Sequence, residues 1–200
     1  MITGYQFAEQ ARSSKYNGIP YSKLDCQAFV EEVAKDAGIR KPDGSIYNWK
    51  GSNSMWRNIS GWKGTIQDCK DQFGCIPLGA WVFIRKTDGG EKDRGYNDNL
   101  GNFTHVGIYC KESDQPVRDS TRYTGRDGVG YRPLTSFTSI TFFEIFASFC
   151  LIFKKKQLFS PLFTPCLQMR KKAVTEFWPR RFCATRTNLP HCVRAYIYKG

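Results

Sequence analysis

Cys26 stands where protein physics makes a thiol reactive. It follows Asp25, a residue type suited to cap a helix, and it opens a stripe of Ala28, Phe29, Val33, Ala34 and Ala37 at helical spacing, with Glu31, Glu32, Lys35 and Asp36 off the stripe. The unpaired N–H groups and the positive dipole end of a helix's first turn favour thiolate over thiol. The same N–H groups can receive the oxyanion of a tetrahedral intermediate. Amide cleavage also needs a proton for the leaving amine, which calls for an imidazole within hydrogen-bond reach. The chain has two histidines, His105 and His191. His105 begins the alternating run Thr104–Cys110 and would be held rigidly by a strand, whereas His191 lies in an unpatterned tail. A third group should fix the tautomer and orientation of the ring. Asp119, on the next strand-like run, is the candidate, and Asn102 is the alternative.

Each of these residues has a blander reading when taken alone. A cysteine opening a helix is more often a small buried hydrophobe, and a histidine on a strand is more often a satisfied core or surface group. The order helix–Cys, strand–His, strand–polar is what points to a thiol hydrolase.

The elements that must position the site are legible around it. Tyr5, Phe7, Ala8 and Ala11 give Thr3–Ser14 the spacing of a short first helix. Gly38 is a suitable C′ glycine for the helix that starts at Cys26. Residues 39–75 are rich in Gly, Asn, Ser and Trp and predict loops with a short helix or two, with Trp49, Trp56 and Trp62 as candidates to line a groove. The period then changes to that of strands, with Ala80–Arg85, Thr104–Cys110 and Pro116–Thr121 flanking a polar loop at 87–102. Helices followed by a run of strands predict an α+β domain on an antiparallel sheet.

Charge divides the chain. Of 30 Lys+Arg and 18 Asp+Glu, residues 1–136 hold 19 and 16, whereas residues 137–200 hold 11 and 2. The basicity, which favours polyanions such as wall polymers or nucleic acid, therefore belongs to the tail and says little about the first part. Composition breaks near Phe137. Phe137–Phe153 is almost wholly apolar, but it falls short of the about 20 residues of a membrane helix and carries Glu144, so no span is expected. Its first part reads as the sheet's last strand, near Phe142–Phe146. Residues 1–146 are expected to form the domain, and 147–200 a basic, Phe-rich tail. That tail is either a wall- or membrane-binding appendage or a C-terminus altered by a frameshift. The joint loss of patterning and of acidic residues favours the frameshift.

The N-terminus shows neither a basic n-region nor an apolar h-region, so no signal peptide is expected and synthesis in a reducing cytoplasm follows. The eight cysteines then need not form a disulfide framework. They lack paired spacing for zinc, Cys69 and Cys75 included, and read as small buried hydrophobes. No metal or other cofactor is expected.

Three blocks taken together carry a family resemblance. Leu24-Asp25-Cys26-Gln27-Ala28-Phe29-Val30, Pro77-Leu78-Gly79-Ala80-Trp81-Val82-Phe83 and Thr104-His105-Val106-Gly107-Ile108-Tyr109 resemble, in order, the motifs of NlpC-type peptidases, papain-like enzymes that cut bacterial cell-wall peptides. The resemblance covers roughly residues 1–146. It implies N-terminal helices packed on a central antiparallel sheet, Cys26 as nucleophile, His105 as base and Asp119 at the third position. It further implies Tyr21, Asp25 and Trp81 as substrate-contacting residues, and as substrate the murein stem peptide, cut at an amide involving D-glutamate and a diamino acid. The chain departs from the family at three places. The third catalytic position, often His in the family, is Asp119 here. The family's Cys-Ser-Gly is Cys26-Gln27-Ala28 here, and its upstream tyrosine beside a glycine pair is replaced by the nearer Pro20-Tyr21. Phage- or prophage-type delivery to the wall would fit the missing signal peptide. Two rival readings are a CHAP-like amidase, which uses the same Cys and His at the sugar–peptide junction, and a non-catalytic wall- or nucleic-acid-binding protein acting through the tail. No ordered basic stripe supports specific nucleic-acid binding.

Overall fold

The computed structural model describes residues 2–142 apart from 42, 112 and 124. The expected tail, His191, Glu144 and residues 143–146 of the expected last strand lie outside the described residues. Within them the fold is α+β, with an open six-stranded antiparallel sheet and four α-helices.

The first helix, α1 (Gly4–Arg12), begins as its sequence demands. Thr3 and Gln6 form a capping box, with the Thr3 hydroxyl accepting from the Gln6 N–H and the Gln6 side chain accepting from the Thr3 N–H. Phe7, Ala8 and Ala11 are its buried face. The next helix, α2 (Cys26–Asp36), is capped by Asp25, whose carboxylate accepts from Ala28 N–H at 2.8 Å. It runs out at Gly38, whose φ of 71° is the left-handed turn that a C′ glycine supplies. Both helices lie where the sequence puts them.

The stretch 39–75 contains α3 (Gly51–Asn58) and α4 (Ile66–Phe73), with Thr65 and Asp68 building a second capping box. Between them lies β1 (Trp62–Thr65), a short strand that the Gly- and polar-rich sequence did not reveal. The remaining strands are β2 (Trp81–Lys86), β3 (Asn102–Tyr109), β4 (Val117–Thr121), β5 (Gly128–Arg132) and β6 (Ser139–Phe142). Their order in the sheet is β1-β6-β2-β3-β4-β5. The chain's last described strand thus enters between β1 and β2, while β2 to β5 follow one another as a meander.

One continuous core joins the elements. Phe29, Val30 and Val33 of α2 meet Trp81 and Phe83 of β2 and Val106 and Ile108 of β3, all fully or almost fully buried. Each such large apolar side chain contributes about 2 kcal/mol by leaving water. Trp56, expected as a groove-lining residue, belongs to this core: its ring stacks on Phe103 at 4.4 Å and meets Phe83 edge-on at 5.2 Å. Trp62 packs between Phe73 and Phe142 at the other end of the sheet. The buried face of α2 presses its first turn toward the middle of the sheet, which places Cys26 above β3 and β4.

Candidate active site

β3 carries an irregularity beside its histidine. Ile84 of β2 pairs with His105, but the next pair is Arg85 with Phe103, so Thr104 is an extra residue on β3. A bulge of this kind bends the strand and re-aims its neighbours. Thr104 is exposed and His105 is 8 % exposed. The ring lies within the fold, near enough to Cys26 for the two side chains to interact.

Asp119 completes the row. His105 Nε2 and Asp119 Oδ2 are 2.6 Å apart, and Asp119 is fully buried. With Nε2 held by the carboxylate, Nδ1 is the ring nitrogen left for Cys26. Gly107 allows the close approach of β4 that this needs. A Cβ at Gly107 would lie 2.6 Å from Val117 Cγ1 and 3.1 Å from Asp119 Cβ, so any side chain there would drive β4 away. Ser120, the next residue of β4, donates its hydroxyl to the Leu24 carbonyl and ties the strand to the segment that leads into Cys26.

The electrostatics follow from this placement. Burial works against a charged His105, but the Asp119 carboxylate that accepts from the ring, with Cys26 beside it, outweighs burial and raises the imidazole to about 9. Burial alone would raise the Asp119 carboxyl. The hydrogen bond and charge of His105, with Arg126 and Arg132 beside it, bring it below the ordinary carboxylate value. The pair is therefore imidazolium and carboxylate at neutral pH.

Of the alternatives for the third position, Asn102 is engaged elsewhere. Its side chain accepts from Asn53 at 2.8 Å and donates to Asp88 at 3.1 Å. Tyr21 is at the site: its hydroxyl lies 3.9 Å from Cys26 Sγ. Burial, with Cys26 next to it, raises its phenol far above the usual value, so it stays a donor. Asp25 is present as the helix cap, with its carboxylate committed to Ala28 N–H. Trp81, expected against the substrate, lies instead in the core. It is 1 % exposed, with its ring among Phe7, Tyr47 and Trp49, so it packs the core and offers no face to a substrate. The half-buried Trp49 is tied to α2 through its backbone. Glu31 accepts from Trp49 N–H at 2.6 Å, and Gln27 donates to the Trp49 carbonyl.

Two residues at the site had no signal in the sequence. Arg126 Nη2 donates to Asp119 Oδ1, and Arg132 Nη1 donates to Oδ2 at 3.1 Å. Both come from the β4–β5 hairpin, whose second strand, Gly128-Val129-Gly130-Tyr131-Arg132, is disguised by its glycines.

Cys26, Cys69 and Cys110 are free thiols. Among the described residues, no group of three or more His, Cys, Asp or Glu side chains converges on a position that would hold a metal ion. No described helix is long and apolar enough to cross a membrane. In the three comparisons with known proteins, no family model, curated protein or solved structure matches the chain.

Proposed function

We propose that the chain is a cysteine endopeptidase of cell-wall stem peptides, with an NlpC-type papain-like domain over residues 1–146. The observation that carries the proposal is the row Tyr21–Cys26–His105–Asp119, assembled from a helix start and two adjacent strands. Cys26 Sγ attacks the amide carbonyl while its proton resides on His105 Nδ1. The N–H groups of the first turn of α2 and the Tyr21 hydroxyl are placed to receive the developing oxyanion. The tetrahedral intermediate collapses as the C–N bond breaks. His105 gives its proton to the departing amine, leaving a thioester on Cys26. Water, deprotonated by His105, then attacks the thioester, releasing the acid and restoring the thiol. Asp119 holds the ring in one tautomer throughout. The wall substrate is supported by the three motif blocks alone.

The test is digestion of a purified murein stem tetrapeptide and of whole murein by the native chain and by Cys26→Ala, with fragments read by mass spectrometry. Cleavage between the acidic residue and the diamino acid, lost in Cys26→Ala, is the expected result. Release of intact stem peptides from the sugar would instead assign a CHAP-like amidase. Equal products from both chains would rule out Cys26 as the nucleophile. Activity that survives truncation after Phe146, which keeps β6 in the sheet, alongside oligonucleotide binding that does not, would confine the tail to binding.

A further inference from the structure

Asp119 is bound by more donors than an orienting carboxylate needs. One oxygen suffices to hold an imidazole, yet both are occupied. Oδ2 accepts from His105 Nε2 at 2.6 Å and from Arg132 Nη1 at 3.1 Å. Oδ1 accepts from Arg126 Nη2, which also reaches the Asp119 carbonyl at 3.3 Å. Two cations therefore bear on a fully buried carboxylate whose other partner is the histidine.

The hairpin is shaped to hold Arg126 in this position. Gly130 lies opposite Asp119 in the β4–β5 register. A Cβ at Gly130 would fall 2.5 Å from Arg126 Nη1 and 2.7 Å from its Cδ, so the arginine occupies the volume that a side chain would fill. Its remaining nitrogens donate to the Gly128 carbonyl at 3.1 Å and the Tyr131 carbonyl at 3.0 Å, which fixes the guanidinium plane. Arg132 is held differently. It lies over the Phe137 ring at 5.4 Å, and that ring is 6.1 Å from the His105 ring. The charged and titratable groups bearing on His105 are then Cys26 from α2, with Tyr21 beyond it, Asp119 from β4, and the two arginines of the hairpin.

We infer that Arg126 and Arg132 are positioning residues that act through Asp119, Arg126 by locking the carboxylate's rotation and Arg132 by competing with His105 for Oδ2, so that His105 holds its proton less tightly than an unopposed aspartate would make it. The inference rests on the reading of Cys26 and His105 as nucleophile and base. Its chemical sense lies in the second half of the reaction, where the imidazolium must surrender its proton to the leaving amine. A buried, unopposed carboxylate would keep that proton in place.

The experiment is NMR titration of the His105 ring in histidine-labelled full-length chain. The ring is told apart from His191 by the peak missing in His105→Asn. Arg132→Met is expected to raise the His105 midpoint by about one pH unit. Arg132→Lys, which keeps the charge, should return most of that shift. Arg126→Met should give a smaller rise with broadening of the Nε2–H signal. Gly130→Ala leaves both arginines in the chain but displaces Arg126, and it should move the midpoint the same way. A purely structural role would alter melting temperature without moving the midpoint. Unmoved or lowered midpoints in both Arg132→Met and Gly130→Ala, in folded protein, would overturn the inference. The readout is the imidazole itself, so upward shifts in a chain that cleaves no murein would sink the substrate reading and leave this one standing.

Discussion

Cys26 and Cys110 lie at two ends of the same neighbourhood, and their surroundings could hardly differ more. Cys110 directly follows β3, is fully buried, and donates to the Ile108 carbonyl at 3.3 Å. Burial pushes its thiol up to about 12, and burial does the same to Cys69 in α4. Among the described residues, neither thiol has an imidazole partner. Cys26 is nearly as buried, yet it sits on the first turn of a capped helix, against His105 and the Tyr21 hydroxyl. Burial by itself makes a thiol inert. A base, a donor and a helix terminus are what distinguish a candidate nucleophile from a small piece of core.

That contrast can be broken most sharply at the thiols. Cys26→Ala should reduce peptide cleavage by at least about 10³-fold with little change in folding. Cys110→Ala and Cys69→Ala should leave cleavage per folded molecule unchanged while costing about 1 kcal/mol or more in chemical denaturation. Loss of cleavage in Cys110→Ala without loss of stability would contradict the comparison.

Asp119 comes next in expected size. Asp119→Asn keeps the volume but removes the charge that holds His105 in its tautomer, and it should lower the turnover rate about 10³-fold or more. Asp119→Ala should also destabilise the fold by about 3 kcal/mol or more, because Arg126 and Arg132 lose their shared buried anion. Denaturant titration of the two variants separates the chemical loss from the structural one.

Gly107 tests the spacing of the strands. Gly107→Val should cost about 1–3 kcal/mol through overpacking against Val117 and Asp119. In whatever fraction folds, it should also lengthen the His105–Asp119 contact. Wild-type turnover from folded Gly107→Val would show that the close approach is not needed.

The ionised pair also makes stability depend on pH. His105 is raised to about 9 from an ordinary 6.5, so its contribution is complete below about pH 6.5 and is lost as pH rises through about 9. Asp119 is lowered from 3.8, so its contribution is present above that value and is lost as pH falls through the folded one. Denaturant midpoints measured from pH 5 to 10 should decline toward the alkaline end, and His105→Gln should flatten that limb. The smallest expected effect is at the Trp49 loop. Gln27→Ala removes one hydrogen bond to a half-buried carbonyl and should cost about 1 kcal/mol, with a modest rise in KM.

The elements that carry Cys26 and His105 were legible because they are strongly periodic. α2 shows a cap, an apolar stripe and a terminal glycine, and β3 alternates cleanly around His105. Asp119 was readable only as one of two options, since choosing between it and Asn102 depends on register, and register depends on Gly107 and on the bulge at Thr104. Arg126, Arg132 and β5 were hidden because glycines erase the alternation of a strand, and because an arginine's partner cannot be read from its neighbours in sequence. Trp81 misled for a related reason. A tryptophan near a motif cysteine reads equally as wall or core, and only the packing of Phe7, Tyr47 and Trp49 around it decides.

The proposed chemistry requires Cys26 and His105 to work as one unit, and alkylation tests that without any assumption about substrate. The measurement is the iodoacetamide modification rate of Cys26 at pH 7, followed by peptide mass spectrometry, in the native chain and in His105→Ala. Selective modification of Cys26 over Cys69 and Cys110, slowed at least about tenfold by the loss of the imidazole, is the predicted result. Equal rates in the two proteins would contradict the pairing and, with it, the proposed chemistry.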